Sequence, residues 1–237
     1  MDAAPAFASF SAAMDGDRAL SARLYPGAPT RRLHATLILG HGAGAGQQSA
    51  FMTGFGSGLS ARGIDVVTFN FPYTEARRRV PDANAVLETA WRRVIATVRG
   101  LAEVDGTRLF VGGKSMGGRI ASQVAAEPQL LPAPVDGLVF LGYPLHPPTQ
   151  PERRRDAHLG RIERPMLFVQ GERDAFGNAE ERGPLVGRLP GAELYVVEGA
   201  NHSLQPPRRS QNRPDEALAA VQDHIVAWMS RVIGDRR

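Results

Sequence analysis

The sequence predicts an α/β fold with a mostly parallel central sheet and helices on both of its faces. Two observations carry this. Short apolar runs alternate with longer amphipathic stretches along most of the chain, the pattern of repeated strand–helix units. The runs are also continuously apolar, as strands buried on both faces must be. A length of 237 residues with 43% hydrophobic content suffices for a sizeable core. No linker composition and no internal repeat divides the chain, so residues 1–237 are expected to form a single domain.

Taken in order, "ALSARLYPG" (19–27) is an expected edge strand, and the rest of residues 1–30 reads as loop. "HATLILG" (34–40) is a buried strand ending at a glycine. A glycine-weakened helix (51–63) and the strand "IDVVTFNF" (64–71) follow. Residues 81–102 give the strongest helix pattern: Pro81 and Asp82 suit its start, and Val86, Leu87, Ala90, Val94 and Val98 form one apolar stripe. Then come the strand "TRLFVGG" (107–113), a helix over 116–128 and strands over 135–144 and 165–174. A broken helix (178–190), the strand 192–200 and a final helix (214–233) complete the pattern. The Pro- and Arg-rich stretch 146–164 is too short for a domain and is expected to be a long loop.

Composition excludes several classes of protein. There is no cysteine, hence no disulfide, thiolate metal site or cysteine nucleophile. No run approaches 18 apolar residues, so no membrane span is expected. The acidic N-terminal start lacks the pattern of a secretory signal, and a cytoplasmic enzyme is the default. The formal charge of +4 comes almost wholly from arginine; Lys114 is the only lysine. The basic clusters Arg77–Arg79, Arg153–Arg155 and Arg208–Arg209 are too short for a nucleic-acid face, and no binding module accompanies them. No H-E-x-x-H or comparable ligand set calls for a metal, and no cofactor is expected.

"FVGGKSMGGR" (110–119) admits two chemistries. A phosphate loop, G-x-x-x-x-G-K-[ST], would need glycine at position 108, where Arg108 stands, and Leu109, Phe110 and Val111 read as strand. The nucleophile-elbow pattern G-x-S-x-G fits instead: Gly113-Lys114-Ser115-Met116-Gly117 lies between a strand and a helix. The glycines are needed because the turn is tight and side chains there would meet neighbouring backbone. Lys114 reads as an exposed passenger beside Ser115. Ser57 in "GFGSGL" fails the pattern, having Phe55 and Leu59 at the flanking positions.

A serine nucleophile needs a base and an acid that orients the base. In this architecture they follow in the order Ser, acid, His. Asp174 comes just past one strand end and His202 just past the next, where open α/β sheets build their sites. Glu172 is the rival acid. The N–H of Met116, directly after the serine, is the expected first oxyanion donor. "GHGAG" after the strand 34–40 supplies the second, assigned to Ala43 with Gly44 as rival; His41 is expected to brace that loop. His34, His146, His158 and His224 show no matching partner. Arg78, past another strand end, is a possible contact for an anionic acyl group, against the alternative of a solvated basic loop.

"GHGAG", "FNFPY", "GGKSMGGR", "LGYPLHPP", "FVQGERDAFG" and "NHSL" together resemble the α/β-hydrolase superfamily. Within it they are most similar to the dienelactone-hydrolase-like branch, and there to the group related to testis-expressed protein 30 and KAT8 regulatory complex subunit 3. The resemblance spans about residues 30 to 235. It implies Ser115, Asp174 and His202 as a catalytic triad in a serine hydrolase, carboxylesterase-like, acting on a small acyl substrate. It also implies no cap domain, since 146–164 is too short for one. Dienelactone hydrolases carry a cysteine nucleophile and this chain has none, which argues against dienelactone as substrate. The alternative is a non-catalytic interaction module within a larger assembly.

Overall fold

The structure, a computed structural model, describes residues 7–16, 18–207 and 214–235. Eight strands form one sheet: β1 (Ala8–Ala13), β2 (Ala19–Tyr25), β3 (Ala35–Gly40), β4 (Asp65–Phe69), β5 (Arg108–Lys114), β6 (Gly137–Leu141), β7 (Met166–Gly171) and β8 (Ala192–Val197). Their order is β1-β2-β4-β3-β5-β6-β7-β8. From β4 to β8 all neighbours are parallel, while β2 pairs antiparallel with both β1 and β4. The helices are α1 (Ala50–Ser60), α2 (Pro72–Glu75), α3 (Asn84–Arg99), α4 (Met116–Ala125), α5 (Ala179–Val186) and α6 (Pro214–Gly234).

The parallel strands β3 to β7 are mainly apolar because each face is covered. On one face Leu109, Val111, Leu138 and Phe140 pack with Trp91 and Val94 of α3 and Ile120 and Val124 of α4. On the other, Phe110, Val139 and Leu141 pack with Phe55 of α1 and Ile225, Trp228 and Met229 of α6. Period-two alternation within a strand sends neighbours into opposite cores, so a continuous apolar run is the sequence of a two-sided strand. No helix among the described residues is long and apolar enough to cross a membrane.

Two expectations need correction, the edge strand and the extent and stripe of the 81–102 helix. The strand over 19–25 is not the edge: β1 pairs along its whole length and takes that place. The sequence of β1, "ASFSAA", is mostly exposed and lacks an apolar alternation to announce it. Helix α3 is shorter than 81–102, beginning at Asn84 without a side-chain cap. Its buried stripe includes Trp91 and Ile95, while Val86 is only half-buried. Residues 146–164 form a loop with one 3-10 turn, Leu159–Arg161, pinned to the core by buried Leu159 and Ile162, and no cap domain stands over the sheet. The expected basic cluster Arg208–Arg209 lies outside the described residues.

Candidate active site

Strand β5 runs straight into α4 through a single residue. Ser115 sits between them at φ 50° and ψ −115°, a conformation that costs a non-glycine residue about 1–3 kcal/mol. The crowding that forces it is specific. A Cβ on Gly113 would lie 2.2 Å from the carbonyl oxygen of Gly40, and one on Gly117 would lie 2.1 Å from the same atom. Both flanking glycines therefore let the elbow close over the end of β3. The reward is a serine held at the N-terminus of α4, with its hydroxyl directed away from the sheet and towards the loop after β8.

That loop carries His202. Its Nε2 is 2.9 Å from Ser115 Oγ, and its Nδ1 is 2.7 Å from Asp174 Oδ2. A carboxylate can only accept, so Nδ1 carries the proton and Nε2 presents its lone pair to the hydroxyl. Asp174, past the end of β7, is 2% exposed. The Phe176 N–H donates to its Oδ1 at 2.8 Å, and the Gln170 amide donates to its Oδ2. The Phe176 ring lies against the imidazole, centroid to centroid 4.3 Å. The arrangement can take a proton from Ser115 and hold the resulting imidazolium beside a fixed negative charge. Glu172, the rival acid, is exposed and accepts the Gly199 N–H at 2.7 Å, bracing the β8 loop instead.

Opposite His202, the turn after β3 presses on the serine: a Cβ on Gly42 would stand 3.7 Å from Ser115 Cβ. Ala43 is exposed on that turn. Among the described residues, no hydrogen bond uses the N–H of Ala43 or of Met116. His41 is fully buried beneath the turn. The Phe71 N–H donates to its Nε2 at 3.2 Å, so Nδ1 is the protonated nitrogen and donates to Gly42 O at 2.8 Å. Burial lowers its pKa to about 4, keeping the ring neutral as this bonding requires. Asn70 Oδ1 accepts the Gln47 N–H at 2.9 Å from the other end of the same turn. The "FNFPY" stretch thus scaffolds the loop that carries Ala43.

Ser115 opens into a cavity of about 790 Å³, walled in part by Ala43, Met116, Phe51, Leu87, Phe176 and His202. Residues 33–230 match the family model described as the alpha/beta hydrolase domain. The chain belongs to that family. The fold is shared with solved structures of low sequence identity. Est1E from Butyrivibrio proteoclasticus superposes with a TM-score of 0.72 at 16% identity, over 95% of this chain and 99% of that one. XC6422 from Xanthomonas campestris, described as a serine hydrolase without lid, gives 0.71 at 19% identity over 94% of each chain. Dienelactone hydrolase from Anabaena variabilis gives 0.72 at 17%, over 97% and 99%.

Several residues of this hydrolase domain differ from their sequence reading. Lys114 is no exposed passenger: it is half-buried, lines the cavity and donates from Nζ to the carbonyl oxygen of His202. Burial lowers its pKa to about 8, against the pull of Asp174. Three of the four histidines without an expected partner have one: His146 meets Glu181 at 2.8 Å, His158 meets Ser122 at 2.7 Å and His224 meets Glu193 at 3.0 Å. Arg78 contributes no lining to the cavity; its guanidinium is tied to Asp82, and the arginines that do line it are Arg119 and Arg155. No cluster of metal-ligating side chains occurs among the described residues.

Two further residues had no sequence signal. Gln170, fully buried in β7, grips the site from below: besides Asp174 it donates to Gly177 O at 2.9 Å and accepts the Tyr143 N–H at 3.1 Å. Arg182, fully buried on α5, donates to Tyr143 O at 2.7 Å and Gly177 O at 3.2 Å, with its pKa lowered to about 10 by burial. Together they clamp the turn that holds Asp174. A glutamine in an apolar strand and an arginine in an acidic helix start have no pattern that separates them from ordinary surface residues.

Proposed function

We propose that the protein is a serine hydrolase that cleaves a carboxylic ester, or a related acyl bond, of a small-molecule substrate. The observation that carries this is the continuous relay from Ser115 Oγ through His202 to Asp174, with links of 2.9 and 2.7 Å. Ser115 attacks the acyl carbon while His202 Nε2 takes its proton. Asp174 holds the imidazole and balances its charge. The N–H groups of Met116 and Ala43 receive the developing oxyanion, and losing one such donor costs about 10²–10³ in rate. His202 then protonates the leaving alkoxide, which departs and leaves an acyl-enzyme. Water, deprotonated by His202, attacks the acyl carbon and restores Ser115. These residues handle every proton and charge, and the reaction calls for no cofactor.

The cavity volume suits a small molecule. The serine hydrolase without lid from Xanthomonas campestris and the esterase domain from Rhodothermus marinus lend support to ester chemistry on this fold. On the motifs "FNFPY" and "LGYPLHPP" we place the chain in the group related to testis-expressed protein 30 and KAT8 regulatory complex subunit 3. We treat residues 1–237 as one domain.

A fluorophosphonate probe tests the reading, together with a panel of short aryl esters, thioesters and peptides. The wild type labels at Ser115 and hydrolyses esters. Ser115→Ala does not label and loses about 10⁴–10⁶ in kcat. A wild type that neither labels nor turns over any acyl substrate would make the domain a non-catalytic interaction module.

A further inference from the structure

The cavity beside Ser115 is unusual in its charges. Arg119 and Arg155 both line it, and among the described residues no carboxylate pairs with either guanidinium. Arg119, one helical turn after Ser115 on α4, bonds only to neutral amide oxygens: Gln123 at 3.3 Å and Asn84 at 3.2 Å. The Arg155 guanidinium has no hydrogen-bond partner among the described residues. Its backbone, however, is fixed at both ends, by N–H to Leu145 O at 2.8 Å and by the Tyr143 hydroxyl to its own carbonyl at 2.7 Å.

Neighbouring arginines behave differently. Arg154 is paired with Asp156, Arg78 with Asp82 and Arg92 with Glu127. Two cations sharing one partly desolvated cavity repel each other: burial first, and the charge of Arg155 after it, disfavours the charge of Arg119, with Tyr143 and Glu88 opposing. Lys114 adds a third positive charge to the lining, against one lining acid, Asp82, whose Oδ1 is engaged by Arg78 and whose buried Oδ2 has no hydrogen-bond partner among the described residues. Such an arrangement is costly in the empty enzyme and is relieved when an anion enters. A guanidinium fork matches the two oxygens of a carboxylate or phosphate.

We propose that Arg119 and Arg155 form an anion subsite, so that the preferred substrate is an ester bearing a carboxylate or phosphate group away from the scissile bond. The subsite rests on the hydrolase reading for its catalytic meaning, although its binding does not.

The test compares kcat/KM for the p-nitrophenyl monoester of glutaric acid with that for the corresponding uncharged half-amide. A second arm compares glycerol-phosphate monobutyrate with glycerol monobutyrate, which separates a carboxylate from a phosphate preference. In the wild type at least one anionic member is favoured by about tenfold or more, and that ratio falls about tenfold in Arg119→Gln and in Arg155→Gln. Arg153→Gln removes the same charge from an exposed position of the same loop and leaves the ratio within about threefold. A wild-type ratio near one in both arms, or a ratio unmoved by both cavity variants, overturns the proposal. Calorimetry of glutarate and of inorganic phosphate with the Ser115→Ala protein keeps the two readings apart. Arginine-dependent anion binding without ester turnover would sink the hydrolase and keep the subsite. Ester turnover without charge preference or anion binding would do the reverse.

Discussion

Among the described residues two serine–histidine contacts occur, and we propose that only one of them serves chemistry. His202 Nε2 stands 2.9 Å from Ser115 Oγ; His158 Nε2 stands 2.7 Å from Ser122 Oγ, seven residues further along the same elbow and helix. Distance alone would choose the second pair. What separates them is everything around the contact. Ser122 donates its proton to Arg119 O at 2.7 Å, so it can only accept from His158. His158 has no acid bonded at its far nitrogen, and burial with Arg119 and Arg161 nearby lowers its pKa to about 4. His202 has Asp174 behind it, and Ser115 sits on a strained turn at the mouth of a cavity. The lesson is that a nucleophile is made by the acid, the backbone and the access, with the hydroxyl–imidazole distance a lesser matter.

Breaking the acid end should give the largest effect. Asp174→Asn keeps the shape but lets His202 adopt the wrong tautomer, and kcat falls about 10⁴-fold in an ester assay. A loss below tenfold would make the two pairs more alike than argued.

Acid should weaken the fold through its neutral histidines. Burial lowers the folded-state pKa of His41 and of His158 to about 4, below the ordinary 6.5 of a histidine. Between these values the unfolded chain binds more protons, so stability rises with pH, and it is lost as pH falls from 6.5 towards 4. For fully buried His41 the loss is about 3 kcal/mol. Urea melts from pH 7 to pH 4 measure it, and His41→Gln should flatten the profile while lowering its upper end.

The support of His202 from Lys114 gives an intermediate effect. Lys114→Met keeps the bulk beside Phe51 and removes the donor to the His202 carbonyl. A hydrogen bond from a charged donor contributes about 1.5–3 kcal/mol, so kcat/KM should fall about tenfold or more with the fold intact by circular dichroism. Unchanged kinetics would return Lys114 to the role of bystander.

Ser122→Ala should matter least to rate. It leaves kcat within about threefold and costs about 1–2 kcal/mol in unfolding free energy, because His158 loses its acceptor. A large kinetic loss with normal stability would show that the second pair takes part after all.

The elbow was legible in the sequence because its requirement is local. Glycine at 113 and 117 is demanded by one carbonyl oxygen, and a five-residue pattern records that demand. The buried strands were legible for a related reason: two-sided burial leaves uninterrupted apolar runs. Asp174 and His202 could be placed because both stand just past strand ends in a parallel sheet, in the expected order. Strand β1 left no such trace, since it is held by backbone pairing along an exposed edge and little side-chain pattern is required of it.

The sequence by itself determined the two-faced parallel sheet, the strained turn at Ser115 and the order of the residues that follow it. Tertiary structure alone decided which charges meet. It tied Lys114 to the His202 loop, set Gln170 and Arg182 beneath the Asp174 turn and brought Arg119 and Arg155 to the cavity in place of Arg78. The physical reason is range. Backbone strain and periodic burial act between neighbours in the chain and leave repeating marks, whereas contacts such as Lys114 to His202 and Arg182 to Tyr143 join residues tens of positions apart and leave none.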